Sequence, residues 1–266
     1  MLTFRNYQKV ASLEEAYELN QKRANKIIGG MLWMKMENRN IGTAIDLSGL
    51  GLDKIEETDD EFSIGCMVTL RELEIHSGLH QYTNGAMREC VRHIVGVQFR
   101  NVATIGGSIF GRFGFSDVLT MFMALDAYVE LYKGGVVPIR TFARMERDND
   151  ILVRVIVKKT PMQVVYMSER YTKTDFPTIA CAIAKNSDTV TAVIGARPYR
   201  AMCVADETGI LKHGITEATA RAFGSYVSEH VRTGSNMRGS REYRNHLIKV
   251  IVRRAVLRLG GKQNAD

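Results

Sequence analysis

Two Gly-Gly pairs constrain this chain more than anything else in it. Each closes a short apolar run read as a strand: Ile27-Ile28-Gly29-Gly30, and Thr104-Ile105-Gly106-Gly107-Ser108. Glycine has no Cβ, so its backbone can take φ > 0 and come close to a ligand. Successive N–H groups in such a turn form a nest for phosphate oxygens. Two turns facing each other would clamp a pyrophosphate; the bland alternative is two ordinary turns. No Lys-Ser or Lys-Thr follows either pair, so neither is a Walker loop. Neither fits G-x-G-x-x-G, so a Rossmann nucleotide site has no support.

The segments around the pairs alternate between helix and strand. Ser12-Leu13-Glu14-Glu15 and Thr69-Leu70-Arg71-Glu72 read as capping boxes opening helices, the first running to about Ala24 and the second stopping near Gly78. Lys26–Ile28, Ala44–Leu47 and Phe62–Cys66 read as strands, and Thr83–Ile94 as a helix. Asp117 precedes the apolar helix Val118–Leu125, where an N-cap role is one reading of it. Ala127–Tyr132 and Gly135–Pro138 read as a hairpin turning at Lys133-Gly134. Leu152–Val157, Gln163–Met167, Thr178–Ala184 and Thr189–Ala196 read as one antiparallel sheet, with Asn186-Ser187-Asp188 as a turn. Two helices follow, Thr216–Val231 and Ser240–Leu259; the last carries Tyr243, Leu247, Val250, Ile251 and Ala255 on its expected apolar stripe. The class is α+β, a mixed N-terminal half followed by a sheet with helices.

Composition narrows the function. With 45% hydrophobic and 24% charged residues the chain is an ordinary globular one, not disordered or low-complexity. It holds no apolar run long enough for a membrane span, and residues 1–20 show no secretory pattern. Cys66, Cys90, Cys181 and Cys203 form no C-x-x-C, so buried free thiols in a reducing cytoplasm are expected and a metal centre held by this chain is not. His76 and His80 are four apart but straddle Gly78, which argues against a ligand pair. The net charge is +7, and residues 197–266 carry all of it, with 13 basic against 6 acidic side chains. Arg241, Arg244, Arg253, Arg254, Arg258 and Lys262 lack the aromatic interleaving of a nucleic-acid surface. A solvated face or one that docks a partner subunit is expected there, with Arg241, Arg244 and Arg258 as its test residues.

The string Arg100-Asn101-Val102-Ala103-Thr104-Ile105-Gly106-Gly107-Ser108-Ile109, followed by Ser116-Asp117-Val118-Leu119 and Ala124-Leu125-Asp126-Ala127, resembles the FAD-binding subunit of molybdenum hydroxylases. That family includes the medium subunits of carbon monoxide dehydrogenase and bacterial xanthine dehydrogenase. The resemblance extends over essentially the whole chain, through Ile45-Asp46-Leu47, Ile64–Thr69, Thr174–Pro177, Ile194–Pro198 and Tyr243–Leu247. It implies a two-subdomain FAD-binding fold of the vanillyl-alcohol-oxidase (PCMH) type over residues 1–160, divided near residue 55. A small C-terminal α/β domain over 161–266 would follow. It implies FAD between the subdomains, contacted by Ile27, Ile28, Gly29, Gly30, Met31, Leu32, Trp33, Thr104, Ile105, Gly106, Gly107 and Ser108, mostly through backbone. Asp117 matches a family aspartate that hydrogen-bonds the cofactor, and Leu152 a position that packs near the flavin. Phe176 falls where some relatives carry an aromatic beside the isoalloxazine, with a core role as the alternative.

The resemblance further implies an oxidoreductase subunit active only within a complex. A molybdenum-cofactor large subunit would oxidise the substrate, with purines suggested by analogy. A [2Fe-2S] small subunit would pass electrons to FAD, and NAD or another acceptor would receive them. No catalytic side chain and no metal on this chain are expected. The departures are specific. Met31-Leu32-Trp33-Met34 replaces the usual small polar residue, Phe110–Phe115 brings three aromatics and Arg112 into a loop of small residues, and Arg170 and Lys173 stand near where relatives place a lysine. The alternatives are a subunit of the same fold that docks without flavin, and a free-standing FAD-dependent reductase.

Overall fold

The protein, described by a computed structural model over residues 1–187 and 189–261, is built from three sheets. The first is parallel: β1 (Thr3–Lys9), the helix α1 (Leu13–Asn20), β2 (Lys26–Ile28) and β3 (Asn40–Asp46), in spatial order β1-β3-β2. Ser12 caps α1 by accepting from the Glu15 N–H, but the Glu15 carboxylate accepts from Ala11 N–H instead of completing the box. Sequence patterning gives no sign of β1, because all seven of its residues are exposed and no alternation marks it.

The second sheet is antiparallel, in the order β4 (Ile55–Glu57), β5 (Glu61–Gly65), β8 (Leu152–Lys158), β6 (Ala127–Leu131), β7 (Gly135–Pro138). Leu152–Val157 therefore belongs here and not to the C-terminal sheet. Periodicity finds a strand but cannot choose its neighbours. Between β5 and β6 lie α2 (Leu70–Ile75), α3 (Ser77–Tyr82), α4 (Ala86–Val91), α5 (Val97–Arg100), α6 (Ile105–Phe110) and α7 (Asp117–Phe122), with α8 (Ile139–Phe142) before β8. The Thr69–Glu72 capping box on α2 is complete. His76 has a local role: its Nδ1 caps α3 by accepting from Leu79 N–H, and α3 runs through Gly78, where a helix end is expected from the sequence. The helix expected over Thr83–Ile94 shrinks to α4, because Asn84 and Gly85 take left-handed backbone (φ 46° and 83°).

The third sheet holds β9 (Gln163–Glu169), β10 (Ile179–Lys185), β11 (Val190–Gly195) and β12 (Met202–Ala205), all antiparallel. The turn expected at Asn186-Ser187-Asp188 includes Asp188, which lies outside the described residues. In β10 the alternation sorts side chains by size. Ile179, Cys181 and Ile183 face α9 (Glu217–His230) and α10 (Arg241–Leu259), while Ala180, Ala182 and Ala184 join the core of the N-terminal unit. Small residues on that face let α7 come close. A Cβ on Gly195 would lie 2.1 Å from Thr120 Oγ1.

The apolar stripe of α10 differs from the expected one. Ile248, Ile251, Val252, Ala255 and Leu259 are buried, while Tyr243 is 42% exposed. The same row begins at Arg244, only 1% exposed. Its guanidinium donates to the carbonyls of Thr178, Gly234 and Gly239 and to Asn236 Oδ1. Arg244 thus ties α10 to the loop before β10 and cannot serve as a partner-facing charge. Arg241 and Arg258 are exposed, and Arg253 pairs with Glu217 at 2.6 Å. Cys66, Cys90 and Cys181 are buried thiols, and Cys203 is half-buried. Burial pushes the Cys66 thiol up to about 12. No helix among the described residues is long and apolar enough to cross a membrane.

Candidate functional site

The two Gly-Gly segments meet. A Cβ on Gly29 would lie 2.8 Å from Thr104 Oγ1, and one on Gly30 only 2.1 Å from the Val102 carbonyl oxygen. Glycine is required here for close approach of backbone to backbone. Left-handed backbone falls instead on Met31 (φ 54°), just after the pair.

The second pair is not a turn after a strand. Ile105-Gly106-Gly107-Ser108 forms the first turn of α6, with Thr104 as its N-cap. Thr104, like Ser and Asp, favours that position because its hydroxyl accepts from the helix N–H groups. Its N–H groups are already spent: Ile105 on Val68 O, Gly106 on Cys66 O and Gly107 on Thr104 Oγ1. The first loop is the opposite case. Among the described residues, the N–H groups of Gly30, Met31, Leu32 and Trp33 make no hydrogen bond within the chain.

Two cavities open on either side of this contact. One, of about 480 Å³, is lined by Gly30 to Trp33, Ser108, Asp117, Arg170 and Phe176, among others. The other, of about 240 Å³, is lined by Ile28, Gly106, Asp150 and Leu152, among others. Ile27, Gly29, Thr104 and Gly107 line both and form the neck between them. Of the fifteen residues singled out from the sequence, only Ile105 lines neither; it is fully buried in the core beneath α6.

Asp117 is the first residue of α7, and Ser116 is the N-cap, accepting from Leu119 N–H at 3.1 Å. The N-cap role expected of Asp117 falls to its neighbour, which frees the carboxylate. Buried at 5% exposure, it accepts from the Tyr166 hydroxyl and pairs with Arg170. Burial raises the Asp117 pKa above the usual carboxylate value, against the pull of Arg170 and Tyr166. Arg170 also donates to Ser168 Oγ (3.1 Å) and to the Asp175 carbonyl (2.6 Å). It links α7 to the loop that carries Phe176.

Trp33, Phe115 and Phe176 form an aromatic wall at one end of the larger cavity. The Phe115–Phe176 centroids are 4.8 Å apart, those of Trp33 and Phe176 5.3 Å, and Phe113 stacks on Phe115 at 5.2 Å. Phe176 is thus neither plain core nor isolated. Arg112, the arginine of the atypical Phe110–Phe115 loop, lines neither cavity. Its guanidinium lies 3.8 Å from the Phe142 ring centroid and donates to the carbonyls of Phe142 and Phe110.

Sequence reasoning missed a clamp behind the second pair. Arg100, quoted only as part of a motif, is 4% exposed and makes a bidentate pair with Glu74, with contacts of 2.9 and 3.2 Å. Bidentate guanidinium–carboxylate pairs add geometric specificity to energy. Arg100 also donates to Ile94 O, fixing the loop that leads to Thr104. Its signal would have been the buried Glu74 on α2, which no local pattern reveals. Among the described residues no cluster of His, Cys, Asp and Glu is arranged to hold a metal.

The fold with these cavities is that of a flavoprotein subunit. The structure superimposes on quinoline 2-oxidoreductase from Pseudomonas putida 86 with a TM-score of 0.83 at 20% identity, covering 97% of this chain and 98% of that one. It matches a carbon monoxide dehydrogenase from Hydrogenophaga pseudoflava equally well, at 0.83 and 20%, over 98% of both chains. By sequence the chain is 28% identical to the xanthine dehydrogenase FAD-binding subunit of Escherichia coli O157:H7, over 98% of this chain and 99% of that protein. It is 24% identical to the nicotine 6-hydroxylase medium subunit of Paenarthrobacter nicotinovorans, over 96% and 97%. Residues 2–159 match the family of the FAD binding domain in molybdopterin dehydrogenase, and the chain belongs to that family. It is an FAD-binding oxidoreductase subunit of the molybdenum hydroxylase type.

Proposed function

We infer that FAD lies along the two cavities with its pyrophosphate at the neck between them. The observation that carries this is the row of N–H groups on Gly30, Met31, Leu32 and Trp33, unpartnered among the described residues, beside a neck that only glycine permits. Such a row is an anion cradle that needs no polar side chain, so Met31-Leu32-Trp33 does not disable it. The cofactor contacts are then Ile27 through Trp33, Thr104, Gly106, Gly107, Ser108, Asp117, Leu152 and Phe176, with Ile105 supporting α6 from the core. The cofactor-binding unit runs to about residue 160 and the C-terminal domain from 161.

Bound FAD supplies the redox chemistry, and the protein supplies its position and surroundings. Thr104 Oγ1 accepts from Gly107 N–H, which leaves its hydroxyl proton to donate toward the neck. Asp117, held by Tyr166 and Arg170, presents a fixed acceptor at the larger cavity. In the complex, electrons come from a [2Fe-2S] small subunit beside a molybdenum large subunit and leave to NAD or another acceptor, in the cytoplasm. The likeness over nearly the full length of complex-forming relatives supports this part.

Expression of the full chain tests the cofactor reading. Yellow protein, or colourless protein that takes up stoichiometric FAD on dialysis, is expected. Trp33, the single tryptophan, provides a second readout, since flavin in this cleft must quench its emission. Colourless protein that cannot be reconstituted would sink the reading in favour of a docking subunit without flavin.

A further inference from the structure

A third cavity, of about 400 Å³, lies on the other side of the aromatic wall. Trp33, Phe115 and Phe176 line it as they line the cofactor cleft, so the wall is shared. Its remaining lining comes from the C-terminal domain, chiefly Pro177, Tyr199, Asn236 and Arg238, and from Gly114. The two units close on each other here without slack: a Cβ on Gly114 would lie 2.2 Å from the Tyr199 carbonyl, and Ala196 N–H donates to Gly114 O at 2.7 Å.

The chemistry of this cavity is donor-rich and aromatic. The Arg238 guanidinium sits 4.8 Å from the Phe176 ring centroid and gives one Nη2 contact of 3.1 Å to Asp175. Its Nε is buried without an acceptor among the described residues. Asn236 spends its Oδ1 on Arg244 and on Arg238 N–H, which leaves its Nδ2 without a partner among the described residues. Tyr199, 42% exposed, has the guanidiniums of Arg197 and Arg232 nearby, at 5.4 and 5.1 Å from its ring centroid. Asp175 is the one carboxylate touching Arg238 among the described residues, so positive potential dominates. Unspent guanidinium and amide donors over flat aromatic walls suit a planar ring bearing a carboxylate or a similar single anion.

We propose that this cavity is a binding site for a planar aromatic monoanion, held by Arg238 and Asn236 and stacked against the wall and Tyr199. It is separate from the FAD site and does not depend on that assignment. Because the occupant packs on the back of Trp33 and Phe176, its binding and the cofactor's are linked through that wall, and reciprocally so.

The test titrates 4-nitrobenzoate against its neutral counterpart 4-nitrobenzamide into the full chain, as isolated and after FAD loading. Calorimetry and Trp33 emission read the binding. The acid is expected to bind one per chain, about tenfold or more tighter than the amide, as a charge-assisted pair requires. Arg238→Gln should bring the acid to the amide's affinity. Tyr199→Ala should weaken both probes about equally and leave FAD uptake as it was. Thermal melts accompany each variant. Should Arg238→Gln fail to fold, the acid-to-amide ratio on the wild type and the Tyr199→Ala result decide. Equal affinity for acid and amide, or displacement of the acid by FAD, overturns the site. Failure of FAD to bind while the acid still does would remove the flavin reading and leave this one standing.

Discussion

The same dipeptide does two different jobs in the two halves of the neck. Gly29-Gly30 ends a strand of the parallel sheet and leaves the N–H groups that follow it without partners among the described residues. Gly106-Gly107 opens a helix whose N–H groups are consumed by Cys66 and Thr104. The first loop is held in place mainly by what it touches, and the second is fastened from behind by Arg100–Glu74. A glycine pair after an apolar run therefore signals close approach, not a shared mode of phosphate binding. Which loop donates and which merely fits is decided by where each N–H already points.

That contrast can be broken most sharply at Gly30. Gly30→Ala drives a Cβ to 2.1 Å from backbone at Val102. Neither chain can yield cheaply, so the neck must open. FAD uptake should be lost altogether, measured by flavin absorbance after dialysis, while the melt of the C-terminal domain changes little. Retention of full flavin would mean that the loops need not touch.

Arg100→Met attacks the fastening of the second loop. It leaves the buried Glu74 carboxylate with Arg71 alone and should cost about 1–3 kcal/mol in chemical denaturation. The same pair sets an acid limit. Glu74 burial raises its pKa, but the hydrogen bonds from Arg100 and Arg71 outweigh this and hold it below 4.5. The pair's contribution is thus complete above pH 4.5 and is lost as pH falls through the depressed folded value. Arg100→Met should flatten that part of the stability–pH curve; an unchanged acid limb would assign it elsewhere.

Gly106→Ala places a Cβ 2.7 Å from the Cys66 carbonyl, a fixed backbone atom. Overpacking of this kind costs about 1–3 kcal/mol. The loss should appear as a lower Tm, with FAD affinity falling less than for Gly30→Ala. If the ranking of these two glycines in flavin affinity reversed, the division of labour between the loops would be wrong. The mildest change is Thr104→Ala. Losing an N-cap hydroxyl costs about 1 kcal/mol, and any fall in FAD affinity beyond that measures the hydroxyl's own contact at the neck.

Much of the architecture was legible beforehand because it is local. Capping residues, Gly breaks and short apolar runs mark α1, α2, β5, the β6–β7 hairpin, α9 and α10, since each reflects hydrogen bonding within a few residues. What stayed hidden is non-local. β1 carries no burial alternation, Leu152–Lys158 reads equally well in either antiparallel sheet, and Met202–Ala205 is too short to stand out. Arg244 looked like a surface charge because nothing in a helix's own spacing announces three waiting carbonyls from other segments.

The class, the two glycine pairs and fourteen of the residues that line the two cavities were readable from the sequence, because the family's motifs keep their order along the chain. How those residues are arranged emerges only when the chain has packed. The tertiary structure showed that Gly106-Gly107 is a helix start and that Ser116, not Asp117, caps α7. It also showed Trp33, Phe115 and Phe176 forming one wall between two cavities. The physical reason is that a side chain's role depends on which donors, acceptors and rings arrive from distant segments, and those meet only when the sheets and helices have packed.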